Sequence, residues 1–162
     1  MNALQQLEIY IAAQKNVAFQ FIIIGVVLIL LAATFYFLGK GSLSNGLKIG
    51  TLVCSLFILI GGIAYNSAEE KLMQSGTLLY QENPAQFQQQ EIDRMQQVMK
   101  DYPIYQIAFG GFIVLSLLVV WFVKNPYWHG VAFSVMLLFV AVMIVEAYSH
   151  QSIKTYFEFL TS

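Results

Sequence analysis

Four apolar stretches, at residues 17–38, 49–68, 104–123 and 127–148, decide what this chain can fold into. Each is close to the roughly 20 residues a helix needs to cross a hydrocarbon layer about 30 Å thick. Only the last holds a charged side chain, Glu146, near its end. Composition agrees. A soluble domain carries roughly 25% charged residues; this chain carries 10%, and 58% of it is apolar. That is too little charge to cover a water-facing surface or to keep a chain disordered. A net charge of −1 offers no basic field for phosphates, so no nucleic-acid partner is expected. The sequence predicts an all-α integral membrane protein, a four-helix bundle forming one polytopic domain over residues 1–162.

The first stretch does not read as a cleaved leader. It is longer than the 7–15 apolar residues of a signal core, and only Lys15 precedes it as a basic residue. It is expected to remain as an anchor. The lone cysteine, Cys54, lies in an apolar run and reads as a packing residue.

The links between stretches differ in kind. The segments around 39–48 and 124–126 are short, which makes each flanking pair an antiparallel hairpin. Residues 69–102 are long and polar, and they read as an extramembrane helical hairpin rather than a loop. Asn83-Pro84 breaks that hairpin, because Asn caps a helix and Pro suits its first position. Ile92, Met95, Met99 and Tyr102 then recur at three- and four-residue spacing, and this apolar stripe is expected to face Leu72 and Leu79. Pro103 marks the return to the apolar layer. Near the termini, Leu4, Leu7 and Ile11, and then Ile153, Tyr156, Phe157 and Leu160, form two more apolar stripes. Both are expected to lie in the interface plane.

Four spans put both termini and the hairpin on one side. That side holds Lys15, Lys71, Arg94, Lys100 and Lys154; the other holds Lys40, Lys48 and Lys124. The positive-inside rule therefore expects cytoplasmic termini. Short loops and the lack of an organelle presequence fit a bacterial inner membrane.

Three features are candidates for chemistry, and each has a plainer reading. Gln20, Asn66, Gln106 and Glu146 fall at one interface, one per span. They form either a polar site at the membrane face or a ring of groups meeting interfacial water. His150 follows Glu146 by four residues and so shares its helix face. One histidine without a second matching motif points to ion pairing or solvation, and no metal or cofactor is expected. The pairs Gly61-Gly62 and Gly110-Gly111 are expected to bring spans two and three together, with a hinge or lipid crevice as the alternative. No nucleophile–base motif occurs, so an enzyme is not expected. The sequence is read as a non-catalytic membrane interaction protein, namely an accessory subunit, an assembly factor or an immunity-type protein. Its partner surface is expected on the hairpin face bearing Glu91, Arg94 and Gln97, with membrane lipids as its surroundings. The alternative is a homo-oligomeric channel or small transporter.

Overall fold

A computed structural model describes residues 2–161. The fold is all-helical, with four antiparallel helices, α1 (Ala3–Leu38), α2 (Ser42–Glu82), α3 (Pro84–Phe122) and α4 (Pro126–Thr161). All four are long and apolar enough to cross a membrane.

The helix ends follow from local chemistry. Asn2 and Gln5 form a reciprocal capping box at the start of α1. Gly41 takes a φ of +91°, a conformation open to glycine, and lets the chain reverse into α2. The Asn83 side chain accepts a hydrogen bond from the backbone N–H of Gln86, and Pro84 opens α3. Asn125 caps α4 through the Tyr127 N–H. Pro103 does not interrupt α3, which runs through it as one helix.

Length dictates the rest. The helices hold 36 to 41 residues, so they are about 54–62 Å long. The bundle accordingly has two halves with separate cores. In the polar half, Leu7, Tyr10, Ile11, Phe87, Met95, Ile153, Tyr156 and Leu160 are buried together, with Leu72, Met73 and Leu79 of α2 against them. In the apolar half, Val17, Phe21, Leu28, Cys54, Ile58, Leu138, Val142 and Val145 form a second core from α1, α2 and α4. Here α3 is peripheral: only 6% of its most apolar window is buried, against 33% in α2 and α4.

Two expectations are corrected. The terminal segments do not lie flat. They are the first and last turns of α1 and α4, and their apolar stripes bury against residues 69–102. The polar segment is thus half of a four-helix bundle and does not stand alone. The glycine pairs do not join α2 to α3. Gly61, Gly110 and Gly111 face open space, whereas Gly62 meets Ala18, Phe21 and Ile22 of α1. The tightest approach is between α2 and α4, where a Cβ at Gly46 or Gly130 would run into the opposing backbone and one at Gly50 would meet Ser134. Gly46 and Gly50, and Gly130 and Ser134, are each four residues apart, the spacing at which small residues let helices close on one another.

Gly130→Leu should therefore destabilise the protein in detergent, with overpacking costing on the order of 1–3 kcal/mol or more. Gly110→Leu should leave the melting temperature essentially unchanged. Equal losses at both positions would contradict this packing.

Candidate functional site

The richest polar chemistry sits where the two halves meet. On α1, Leu7, Tyr10, Ile11, Gln14, Val17 and Phe21 follow one buried stripe, so Gln14 is carried inside by its apolar neighbours. Both polar atoms of its amide are engaged. Tyr65 OH and Ser149 Oγ each donate to Gln14 Oε1 at 2.8 Å, and Gln14 Nε2 donates to Ser152 Oγ at 2.9 Å. One amide thereby ties α1 to α2 and α4.

The same logic places Glu91. It lies between Phe87 and Met95 at four-residue spacing, and all three are buried. Arg94 grips its carboxylate with two bonds, Nε to Oε1 at 3.0 Å and Nη2 to Oε2 at 2.6 Å, and Tyr156 OH donates to Oε2 at 3.1 Å. The Arg94 guanidinium lies 5.3 Å from the Tyr10 ring centroid, and Tyr10 stacks on Tyr156 at 4.8 Å. Burial opposes the Arg94 charge, but the Glu91 carboxylate outweighs it and holds the guanidinium above its ordinary pKa. Burial raises the Tyr10 and Tyr156 hydroxyls, so both are neutral at physiological pH.

Next to this lock opens a cleft of about 280 Å³, lined by Tyr10, Phe21, Tyr65, Glu69, Arg94, Val98, Tyr102, Tyr105, Glu146, Ser149 and Ile153. Glu69 is only 6% exposed, and its Oε2 has no hydrogen-bond partner. Burial pushes its carboxyl above the usual range; Arg94 and Lys15 pull it down and Glu91 adds to the rise.

The expected site residues fall as follows. Glu146 lines the cleft. His150 stacks on Tyr102 at 3.9 Å, and its Nδ1 has no hydrogen-bond partner; Gln106 Nε2 is likewise buried without one. Gln20 and Asn66 are half-buried, and no hydrogen bond between described residues ties them to the cleft. Glu91 and Arg94 do not form an outer surface, because the apolar stripe of α3 turns Glu91 into the bundle interior and Arg94 follows it. Gln97 is exposed and donates to Asp101. Among the described residues no group of three or more metal-ligating side chains comes together.

Gln14, Glu69, Tyr10, Tyr65 and Tyr156 were not singled out from the sequence as site residues. The usable signal was a polar residue occupying an apolar stripe position, as Gln14 does between Tyr10 and Val17 and Glu91 between Phe87 and Met95. Comparison with known protein families, with curated proteins and with solved structures finds no match for this chain. What the fold defines is an all-helical chain with four helices suited to cross a membrane.

Arg94→Met should strand the buried Glu91 charge and cost on the order of 3 kcal/mol in denaturant unfolding, whereas the double change Glu91→Leu with Arg94→Met should recover most of that loss. Additive losses would mean that the two side chains do not act as a pair.

Glu69 carries a pH signature. Its folded pKa is raised, so between the unfolded and folded values the native state binds more protons than the unfolded state. Its contribution to stability is present in acid and is lost as pH rises through the folded pKa. Wild type should therefore lose stability relative to Glu69→Gln on moving from pH 4 to pH 7. A stability difference between the two proteins that does not vary with pH would refute the assignment.

Proposed function

We propose that the chain is a multi-pass membrane protein that works by non-catalytic protein–protein interaction, as an accessory subunit, assembly factor or immunity-type protein. On this reading the apolar half lies in a bilayer, a bacterial inner membrane, and the polar half projects into the cytoplasm with both termini. The observation that carries the reading is the position of α3. Its apolar segment packs chiefly on α4 and leaves Ile107, Val114, Leu118 and Trp121 outward at near-heptad spacing. Gly111 lies on the same side, open to close approach. Above it the outer face of α3 carries exposed Gln86, Gln89, Gln90, Asp93, Gln96, Gln97 and Lys100. The partner surface is thus the outside of α3, with the Glu91–Arg94 pair serving to hold that helix in place. Support for a non-catalytic role comes from the junction, where Gln14 bonds α2 and α4 and the Glu91–Arg94 pair is taken up by Tyr156 and Tyr10.

Single cysteines in a Cys54→Ala background test both parts. Gln89→Cys should react with a charged maleimide from the cytoplasmic side and Lys40→Cys from the opposite side; labelling of both from one side would overturn the placement. In native membranes Val114→Cys should give a discrete cross-linked species of higher mass, and Leu30→Cys on α1 should not. Failure of Val114→Cys to cross-link would remove α3 as the partner surface. Adducts at whole-number multiples of the 18.3 kDa chain would favour the homo-oligomeric alternative.

A further inference from the structure

The cleft between the two halves has an unbalanced charge and an aromatic wall, in which Tyr102 is stacked on His150 on one face and Tyr105 is half open. Two carboxyl groups reach it, Glu69 from α2 and Glu146 from α4. The only cation among its lining residues is Arg94, and that charge is answered by Glu91 through two hydrogen bonds. Lys15 lies close to Glu69 but bonds Glu70 on the exposed side, at 3.3 Å. Counting Glu69, Glu146, Glu91 and Arg94, the formal charge at the cleft with all groups ionised is −2. Glu69 makes the need specific. It is more than nine-tenths buried, it lines the cleft, and its Oε2 has no partner within the protein. A buried carboxylate oxygen without a donor is costly unless a ligand supplies one.

The remaining walls say what kind of donor. Phe21, Tyr65, Tyr102 and Tyr105 line the same cleft as the two carboxyls. Aromatic rings beside carboxylates form the environment that favours an alkylammonium over a hydrated metal ion, because the ring faces attract a cation whose CH₂ or CH₃ groups also need apolar contact. No set of three metal-ligating side chains is present among the described residues. The size agrees, since about 280 Å³ admits a small head group rather than a large solute.

We infer that this cleft binds an organic ammonium group, with Glu69 and Glu146 as its carboxylate partners and Tyr102 and Tyr105 as its aromatic wall. Glu69 Oε2 accepts an N–H, and Glu146 supplies the second charge. The same chemistry has two sources, a free small amine or the amine of a membrane lipid. The cleft lies at the level where the apolar half gives way to the polar half, which is where a lipid head group would sit. The lipid source rests on the bilayer placement proposed above; the free-amine source does not.

The test uses the full chain purified in detergent and titrated with ethanolamine hydrochloride at constant ionic strength against sodium chloride, with thermal unfolding as readout. A parallel arm compares nanodiscs of phosphatidylethanolamine with nanodiscs of phosphatidylglycerol. Wild type should gain stability saturably with ethanolamine, or selectively in the phosphatidylethanolamine discs; the first result identifies a soluble amine and the second a lipid. Glu69→Gln and Glu146→Gln should each weaken the effect at least tenfold. Tyr105→Ala should weaken it several-fold and Tyr105→Phe should not, a contrast that mere loss of packing at this exposed position would not produce. Should Glu69→Gln fail to fold, Glu146→Gln and the Tyr105 pair decide. Absence of saturable stabilisation in both arms overturns the site, as does an equal response from wild type and the folded carboxamide variants. Correct cysteine labelling alongside a null result here would reject the ammonium site and leave the membrane reading standing.

Discussion

Each helix is about twice as long as a bilayer's hydrocarbon core is thick, and the whole architecture follows from that mismatch. A helix of this length cannot be apolar throughout without leaving half its surface unsolvated on one side of the boundary. All four helices therefore change character at one level, giving a core of Val, Leu and Phe in one half and a core of Tyr, Phe, Met and Leu in the other. The polar half would be a weak structure as a two-helix hairpin alone. It holds because the ends of α1 and α4 bring Leu7, Tyr10, Ile11, Tyr156 and Leu160 to close it.

The two halves use different forces to bring helices together. If the apolar half lies in a bilayer, as proposed, hydrophobic burial there gives no advantage over lipid, and contact depends on how closely backbones fit. Gly46 and Gly50 on α2 and Gly130 and Ser134 on α4 meet that need. Thr51 and Ser55 are buried nearby without cost, because each hydroxyl donates to its own helix backbone. In the polar half the Glu91–Arg94 pair, with Tyr10 and Tyr156, joins α3 to α1 and α4. The pair itself lies within α3, three residues apart, so the Tyr156 hydrogen bond to Glu91 and the Tyr10 ring beside Arg94 are what tie it to the neighbouring helices.

The sequence made the number of long helices and the break at Asn83-Pro84 legible, because both rest on local signals, run length and turn chemistry. What it did not yield were relations between helices. Glycine pairs were read as contact points because they are conspicuous, whereas the packing uses glycines four residues apart, which share a helix face as adjacent ones do not. The hairpin stripe was read from Ile92, Met95 and Met99. Met95 is buried and Ile92 and Met99 pack against the same core as Leu72 and Leu79, but the continuation of the buried line through Phe87 and Glu91 is hidden by the glutamate in its middle. The polar groups at the junction show the same blindness. Gln14 and Glu69 look like surface residues in a list of letters, and only tertiary neighbours show that one is saturated and the other is not. Glu146 and His150 were visible as a pair at helical spacing, but the partner His150 finds is the Tyr102 ring.

The helix most constrained in the polar half is the least constrained in the apolar half. α3 contributes Phe87, Glu91 and Met95 to the polar interior, yet only Ser116 is buried along its apolar stretch. Pro103 stands between these regimes and removes one backbone hydrogen bond at the changeover. The helix is therefore held at one end by its buried residues and by the Tyr156 hydrogen bond to Glu91, and weakly held at the other, with one backbone hydrogen bond fewer between. Packing against α1 and α4 makes the polar end the more firmly held of the two. The cleft lies at this same level, with Tyr102 and Tyr105 flanking Pro103. A ligand held there would contact α3 on both sides of Pro103, through Arg94 and Tyr102 before it and Tyr105 after it.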